Sequence, residues 1–279
     1  RKTLCEHLLS ARFPTAVGRL WRVSVRIPTA TYRLQLNRAF GFKEARQIVP
    51  YLAELGISDI YASPIFKARK GSLHGYDVVD PNELNPELGS PEDFEELISE
   101  AHKRDMGWLQ DIVPNHMAFD SENAMLMDVF ANGQASPYFN YFDVNWKQDE
   151  QAKPEVLAPF LGKFYGEALE SGEISLVFGP DGLAVKYYDF LFPLKVESYV
   201  HVFTHRLSIL REKLGESHSD VIRYLGALYV LQALSSQEGD IDRSERVKVI
   251  KKTFWDLYDE NSTIAAFIDE NLAEFNGVA

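Results

Sequence analysis

The chain has 279 residues, of which 46% are hydrophobic and 25% are charged, and its formal net charge is −12. This composition is typical of a globular protein, and no stretch approaches the roughly 18 consecutive apolar residues of a membrane-spanning helix. The acidic balance argues against a nucleic-acid partner, because phosphates bind basic surfaces. The single cysteine, Cys5, excludes an intramolecular disulfide and favours a reducing compartment, so a cytoplasmic protein is expected.

The first 26 residues differ from the rest in charge. Residues 1–26 hold several Arg and Lys residues but only one acid, Glu6, whereas the remaining chain is strongly acidic. We interpret residues 1–26 as a basic N-terminal extension.

From residue 27 onward, strand and helix patterns alternate. A strand is predicted over residues 27–36, followed by a helix that starts near Phe42, ends at the left-handed cap Gly56 and is kinked or split by Pro50. A second strand, "DIYASP", precedes a long polar loop predicted over residues 65–89.

The second predicted helix has clear start signals. Ser90 can cap it, Pro91 suits its first turn and Asp93 completes a capping box, and the helix is expected to end near Gly107. A third strand, "WLQDIV", follows. Three strands alternating with helices predict parallel pairing, and therefore the start of a barrel or of a doubly wound sheet.

Polar side chains gather where these strands end. Asp111 lies in the predicted third strand with Asn115 and His116 just beyond it, and the loop "SLHGYDVVDP" adds His74 and Tyr76. The carboxyl ends of parallel strands face the binding crevice, so these side chains are expected to share one rim. The pattern alone leaves open that they are ordinary turn residues bonded to local backbone.

Several of these segments resemble a known family. "DIVPNHM" resembles the first conserved region of the alpha-amylase superfamily of (β/α)8-barrel glycosidases and transglycosidases, and "HGYDVVDP" resembles its substrate loop. "ATYRLQL" and "LGKFYGEALESGEISLVFGPDGLAVKYYDFLFPL" resemble the maltooligosyltrehalose synthases in particular. The resemblance extends from Ile27 to Tyr199 and more loosely beyond.

The resemblance implies an α/β fold: the N-terminal part of a (β/α)8 TIM barrel, with a small inserted subdomain after strand 3 and a helical insertion. Residues 27–118 would form the first three β/α units, residues 119–198 the inserted subdomain and residues 199–279 the helical segment.

The implied activity is intramolecular transglycosylation, which converts the reducing-end α-1,4 bond of a maltooligosaccharide into an α,α-1,1 trehalose bond. By resemblance, His74 and His116 contact the sugar, Tyr76 is an aromatic platform under the sugar ring, and Asp111 orients its neighbours. Asn115 matches a position that holds calcium in many amylases. In the synthases it is expected to brace the loop instead, so no metal and no cofactor are expected.

The catalytic carboxylates of the superfamily have no counterpart in the sequence. Retaining chemistry needs a nucleophile and an acid about 5 Å apart, and their motifs lie on later strands, so both are expected beyond Ala279. Asp240 and Asp242 are interpreted as solvated helix connections. We therefore expect no catalytic residue in this chain. We expect the chain to be the N-terminal part of a longer enzyme and to be inactive alone. Its expected partner is the remaining C-terminal part of that enzyme. The alternatives are an amylase-type glucan hydrolase and a non-catalytic carbohydrate-binding fragment.

Overall fold

A computed structural model describes residues 26–146, 160–234 and 243–277 of the chain. Arg26, the last residue of the basic extension, donates a hydrogen bond to Asp59 over 3.0 Å. Several sequence predictions concern positions outside the described residues, namely Cys5, Asp240, Asp242, Ala279 and the basic extension up to residue 25. The expectation that the nucleophile and the acid follow Ala279 therefore stays a prediction.

The secondary structure alternates between strands and helices at first and is mainly helical later. The strands are β1 (Thr31–Leu34), β2 (Asp59–Ala62), β3 (Phe66–Ala68), β4 (Val78–Leu84), β5 (Gly107–Gln110), β6 (Ile174–Gly179), β7 (Gly182–Tyr187) and β8 (Phe190–Pro193). The helices are α1 (Phe42–Glu54), α2 (Pro91–Lys103), α3 (Ala124–Asn132), α4 (Tyr165–Glu170), α5 (Tyr199–Thr204), α6 (Leu207–Leu214), α7 (Ser219–Leu234), α8 (Arg243–Glu260) and α9 (Ser262–Phe275). None of the helices in the described ranges is long and apolar enough to cross a membrane.

The first sheet is parallel, as the alternating pattern predicts. Its strand order is β1-β2-β5, and the register sets Arg33 beside Tyr61 and Tyr61 beside Leu109. Helices α1 and α2 bury their apolar faces in the core of this sheet, which includes Leu34, Ile60 and Leu97. The α/β character of the fold is therefore confirmed.

Helix α1 is continuous from Phe42 to Glu54, so Pro50 does not split it, and the alternative that Pro50 kinks it stays a prediction. Phe42, Ala45, Val49 and Leu52 are fully buried on one face of the helix, and their packing outweighs the one backbone hydrogen bond that proline removes near the C-terminus. The predicted cap is confirmed: Gly56 has φ +87°, and the next residue donates its N–H to the Leu52 carbonyl over 3.0 Å.

Helix α2 begins as predicted and ends earlier than predicted. The Ser90 hydroxyl accepts from the Asp93 N–H, and the Asp93 carboxylate accepts from the Ser90 N–H, which completes the capping box. The helix ends at Lys103 rather than near Gly107, because Asp105 adopts a left-handed φ of +52° and Gly107 already begins β5.

The polar loop predicted over residues 65–89 is instead a hairpin. Strands β3 and β4 pair antiparallel, with Ala68 opposite Val78. Val78 and Val79 are buried as in a strand. The sequence nevertheless resembles a loop, because Pro81 and several polar residues lie next to these two valines. Proline is tolerated because β4 hydrogen-bonds only to β3 among the described strands and lies at a sheet edge.

The third sheet, formed by β6, β7 and β8, packs on the later helices. Strands β6, β7 and β8 are antiparallel, and the predicted turn through "GPDG" joins β6 to β7 between Gly179 and Gly182. Leu183 and Val196 share one core with helices α5 to α9. Residues on both sides of the predicted boundary at 198/199 therefore pack together, and the division into an inserted subdomain and a helical segment stays a prediction.

Candidate active-site rim

Asp111 is the first residue after β5. Its N–H donates to the Ala62 carbonyl over 3.0 Å, so the backbone pairing with β2 extends one residue past the strand. The prediction that Asp111 lies within the third strand is wrong by this one position. The pairing stops there because β2 itself ends at Ala62 and Pro64, two residues on, has no N–H to donate.

One oxygen of Asp111 collects three donors. Oδ2 accepts from the Tyr76 hydroxyl, from Arg33 Nη1 at 3.1 Å and from the Tyr61 hydroxyl at 3.2 Å. Arg33 Nη2 also donates to the Tyr76 hydroxyl over 3.0 Å, and the Arg33 guanidinium lies 4.8 Å from the centre of the Tyr61 ring. Side chains from β1, β2, the β3–β4 hairpin and the end of β5 thus form one hydrogen-bonded cluster.

This cluster sets the charge state of its members. The hydrogen bond from Tyr76 lowers the pKa of Asp111, and Arg33 and Tyr61 lower it further against the opposing effect of burial. The same bond to Asp111 raises the pKa of the Tyr76 phenol. At neutral pH Asp111 is therefore a carboxylate that accepts hydrogen bonds, a state suited to orienting its neighbours rather than to donating a proton.

The loop that carries Tyr76 requires glycine at its centre. Gly75 has φ +76°, and a Cβ added there would lie 2.7 Å from the carbonyl oxygen of Pro64. The Ser72 hydroxyl accepts from the Gly75 N–H over 3.1 Å and donates to Asp77. The loop is therefore closed tightly against the end of β2, and this fixes the direction of Tyr76.

His74 lies beside Tyr76 on this loop. Its Nδ1 accepts from the Tyr76 N–H over 3.0 Å, and the two rings are stacked with their centres 6.0 Å apart. Gln35 donates to the His74 carbonyl over 3.3 Å. The imidazole is exposed to solvent.

Asn115 and His116 follow β5 and lie against the same loop. His116 Nε2 is 3.2 Å from the Tyr76 carbonyl oxygen, and Nδ1 is 3.2 Å from Asn115 Oδ1. The Ala118 N–H donates to the Val78 carbonyl over 2.8 Å, which holds the two segments together. Both side chains are exposed, so neither serves to fill the core.

The structure thus brings all of the residues selected from sequence to one rim, namely His74, Tyr76, Asp111, Asn115 and His116. It adds Arg33 and Tyr61, to which the sequence assigned no role in the site. The strand register is what places them there. Arg33 and Tyr61 are cross-strand neighbours, and Tyr61 is beside Leu109. Asp111, two residues after Leu109, lies on the same face because side chains alternate along a strand. Across the described ranges, no three His, Cys, Asp or Glu side chains group closely enough to hold a metal ion.

Comparison with known proteins adds independent information. The family described as "Alpha amylase, catalytic domain" matches residues 45–173. A "Putative maltooligosyl trehalose synthase" of Mycobacterium tuberculosis is 35% identical over 178 residues, which cover 57% of this chain and 23% of the relative. An "Intracellular maltogenic amylase" of Bacillus subtilis is 39% identical over 95 residues, 34% of this chain and 16% of that protein.

A solved structure agrees with these matches. The crystal structure of a maltooligosyl trehalose synthase superimposes with a TM-score of 0.56 and 34% identity, over 72% of this chain and 24% of that chain. This chain spans about a quarter of the length of the synthases that it matches. The resemblance expected from the motifs is therefore confirmed: the chain is similar to the maltooligosyltrehalose synthases and carries sequence of the alpha-amylase catalytic domain.

Proposed function

We propose that this chain is part of an enzyme that converts the reducing-end α-1,4 bond of a maltooligosaccharide into an α,α-1,1 trehalose bond. In this proposal residues 27–118 are the first three β/α units of a (β/α)8 barrel, residues 119–198 are an inserted subdomain and residues 199–279 are a helical segment. The nucleophile and the acid come from the remaining part of the enzyme, beyond Ala279, and this chain supplies part of the substrate site.

The observation that carries the proposal is the rim formed by Tyr76, Asp111 and His116. A phenol ring that is partly exposed and held in place by two hydrogen bonds offers a flat apolar face of the kind on which a pyranose ring stacks. His116 lies beside that ring, with Nε2 against the Tyr76 carbonyl and Nδ1 against Asn115. The imidazole is exposed, so a sugar hydroxyl can bind it by replacing the contact with Asn115. Asp111 holds Tyr76 from the other side.

An uncharged, hydroxyl-rich ligand fits the electrostatics of this rim. The negative charge of Asp111 is already satisfied by Arg33, Tyr61 and Tyr76, so little net charge remains to attract an ion. Donors and acceptors that are fixed by neighbouring bonds are suited to orienting a neutral sugar at low entropic cost. The proposed substrate class is therefore an α-1,4-glucan.

A hydrolase of the amylase type is the second candidate function. The similarity to a maltogenic amylase is higher in identity but covers only 95 residues, whereas the similarity to the synthase covers 178. The shorter similarity, to the amylase, favours glucan binding in general. The longer similarity, to the synthase, favours trehalose formation. A non-catalytic glucan-binding role is the third candidate.

The products formed from maltopentaose test these alternatives. A longer polypeptide that includes this chain and the missing carboxylates is incubated with maltopentaose, and reducing ends and chain lengths are followed together. The proposal predicts loss of reducing ends at constant chain length. Shorter maltooligosaccharides would indicate hydrolysis, and unchanged sugar would indicate binding alone.

A further inference from the structure

Arg69 lies at the start of the loop that carries His74 and Tyr76. Its backbone N–H donates to the Asp77 carbonyl over 2.9 Å, which closes the loop between β3 and β4. Its side chain leaves this loop and reaches the segment that follows β5. Arg69 is therefore attached to both segments that form the rim.

The side chain of Arg69 makes three contacts outside its own hairpin. Nε donates to Asp120 Oδ2 over 2.6 Å and Nη2 donates to the Phe119 carbonyl over 3.3 Å. The guanidinium carbon lies 5.7 Å from the centre of the Phe190 ring on β8. A planar guanidinium carries donors on separate nitrogens and has a flat face, so one Arg side chain makes an ion pair, a backbone bond and a ring contact at once.

Asp120 depends on Arg69 for its charge balance. The Asp120 side chain is only 10% exposed, and its other oxygen, Oδ1, accepts from the Glu122 N–H over 2.9 Å. If Arg69 were removed, Oδ2 would remain as an uncompensated charge in a mostly buried place. The segment after β5 would then have to move to hydrate this carboxylate.

His116 lies on this same segment, between Asp111 and Asp120. The segment is fixed to the Tyr76 loop at its start by Asp111 and beyond His116 by the bond from Ala118 to Val78 and by the Arg69 contacts. We propose that Arg69, through Asp120 and the Phe119 carbonyl, is a positioning residue that sets His116 against Tyr76 for glucan binding. This inference rests on the proposed function, since it names a further determinant of the same site.

The test compares matched variants of the 279-residue chain. Arg69→Met removes the guanidinium and its ion pair but keeps an unbranched apolar side chain about as long as the Arg69 stem. Lys67→Met, on the same hairpin, removes an exposed ion pair with Glu83 (2.8 Å) and serves as the control. Asp120→Asn keeps the shape of the partner and weakens the bond, so it replaces Arg69→Met if that variant does not fold. Maltotriose affinity is measured by calorimetry, and nuclear Overhauser contacts report the distance from the His116 ring to the Tyr76 backbone.

We expect Arg69→Met to weaken maltotriose binding on the order of tenfold, about 1.4 kcal/mol, because His116 is no longer held in place. The contacts between His116 and Tyr76 should also be lost. Lys67→Met should change neither, and Arg69→Met should add no further loss in a His116→Ala background. Unchanged affinity and unchanged contacts in Arg69→Met would overturn the inference. If the unmodified chain binds no maltotriose, the glucan-binding role proposed for its rim fails, and the positioning inference is decided by the contacts alone: their retention in Arg69→Met refutes it and their loss supports it.

Discussion

Tyr76 and Asp111 lie 35 residues apart in sequence, and the phenol of the first donates a hydrogen bond to the carboxylate of the second. Through this bond, the hairpin between β3 and β4 is attached to the carboxyl end of the parallel sheet. Arg33 and Tyr61 donate to the same oxygen, so the bond belongs to a network and not to an isolated pair. This network fixes the position of the Tyr76 ring relative to the ends of β1, β2 and β5.

The lowered pKa of Asp111 predicts an acid-dependent loss of stability. Because the folded-state pKa lies below the ordinary aspartate value of about 3.9, the stabilisation is present above that value and is lost as the pH falls through the folded-state pKa. Asp111→Asn should therefore lower the melting temperature at pH 6 and flatten its decline as the pH falls below the ordinary aspartate pKa of about 3.9. Thermal unfolding of both proteins across this range measures the difference. Parallel declines would show that Asp111 gains nothing from its partners.

Gly75 and Gly56 form a matched pair for substitution by alanine. Both have positive φ, +76° and +87°, but a Cβ at Gly75 meets the Pro64 carbonyl at 2.7 Å whereas a Cβ at Gly56 meets nothing within 4 Å. Strain alone costs about 1 kcal/mol, so Gly56→Ala should lose about that much stability. Gly75→Ala should lose at least about 1 kcal/mol more and should weaken glucan binding. Urea unfolding gives the free energies, and equal losses would contradict the close contact.

Tyr199 is buried in the core that β7 shares with helices α5 to α9, and its hydroxyl offers a test of that core. Its hydroxyl is buried, burial raises its pKa, and it accepts a hydrogen bond from the buried Leu183 N–H over 2.9 Å. Tyr199→Phe should leave that donor unpaired and lower the free energy of unfolding by about 1 to 3 kcal/mol. Tyr229→Phe changes a 75% exposed side chain and should cost nearly nothing. A Tyr199→Phe protein as stable as the control would show that the Leu183 N–H finds another partner.

Features that depend on neighbouring residues follow from the local sequence. The capping box of Ser90 and Asp93, the left-handed cap at Gly56 and the turn through "GPDG" all appear as predicted. Each depends on contacts within a few residues, so the surrounding fold has little effect on them.

Features that depend on partners far along the chain do not follow from the local sequence. Pro81 made β4 resemble a loop, because the pairing that makes it a strand lies on β3. Tyr61 carried no motif, and its role follows only from the register that sets it beside Arg33. The bond between Arg69 and Asp120 spans 51 residues and could not be read from either segment alone. The rim residues themselves were recognised through a family resemblance, since their pattern was equally compatible with turns.

The most direct test of the account is a titration of the 279-residue chain with maltotriose, followed through the imidazole signals of His116 and His74 and the ring signals of Tyr76. If the rim binds a glucosyl unit, the signals of all three residues shift together at one saturating concentration, while those of His218, on the helical side of the chain, stay fixed. His116→Ala should weaken that binding by about tenfold, the loss of one fixed hydrogen bond. Binding that leaves the His116 and Tyr76 signals unmoved, or a titration without saturation, would contradict the claim that these two side chains hold the sugar.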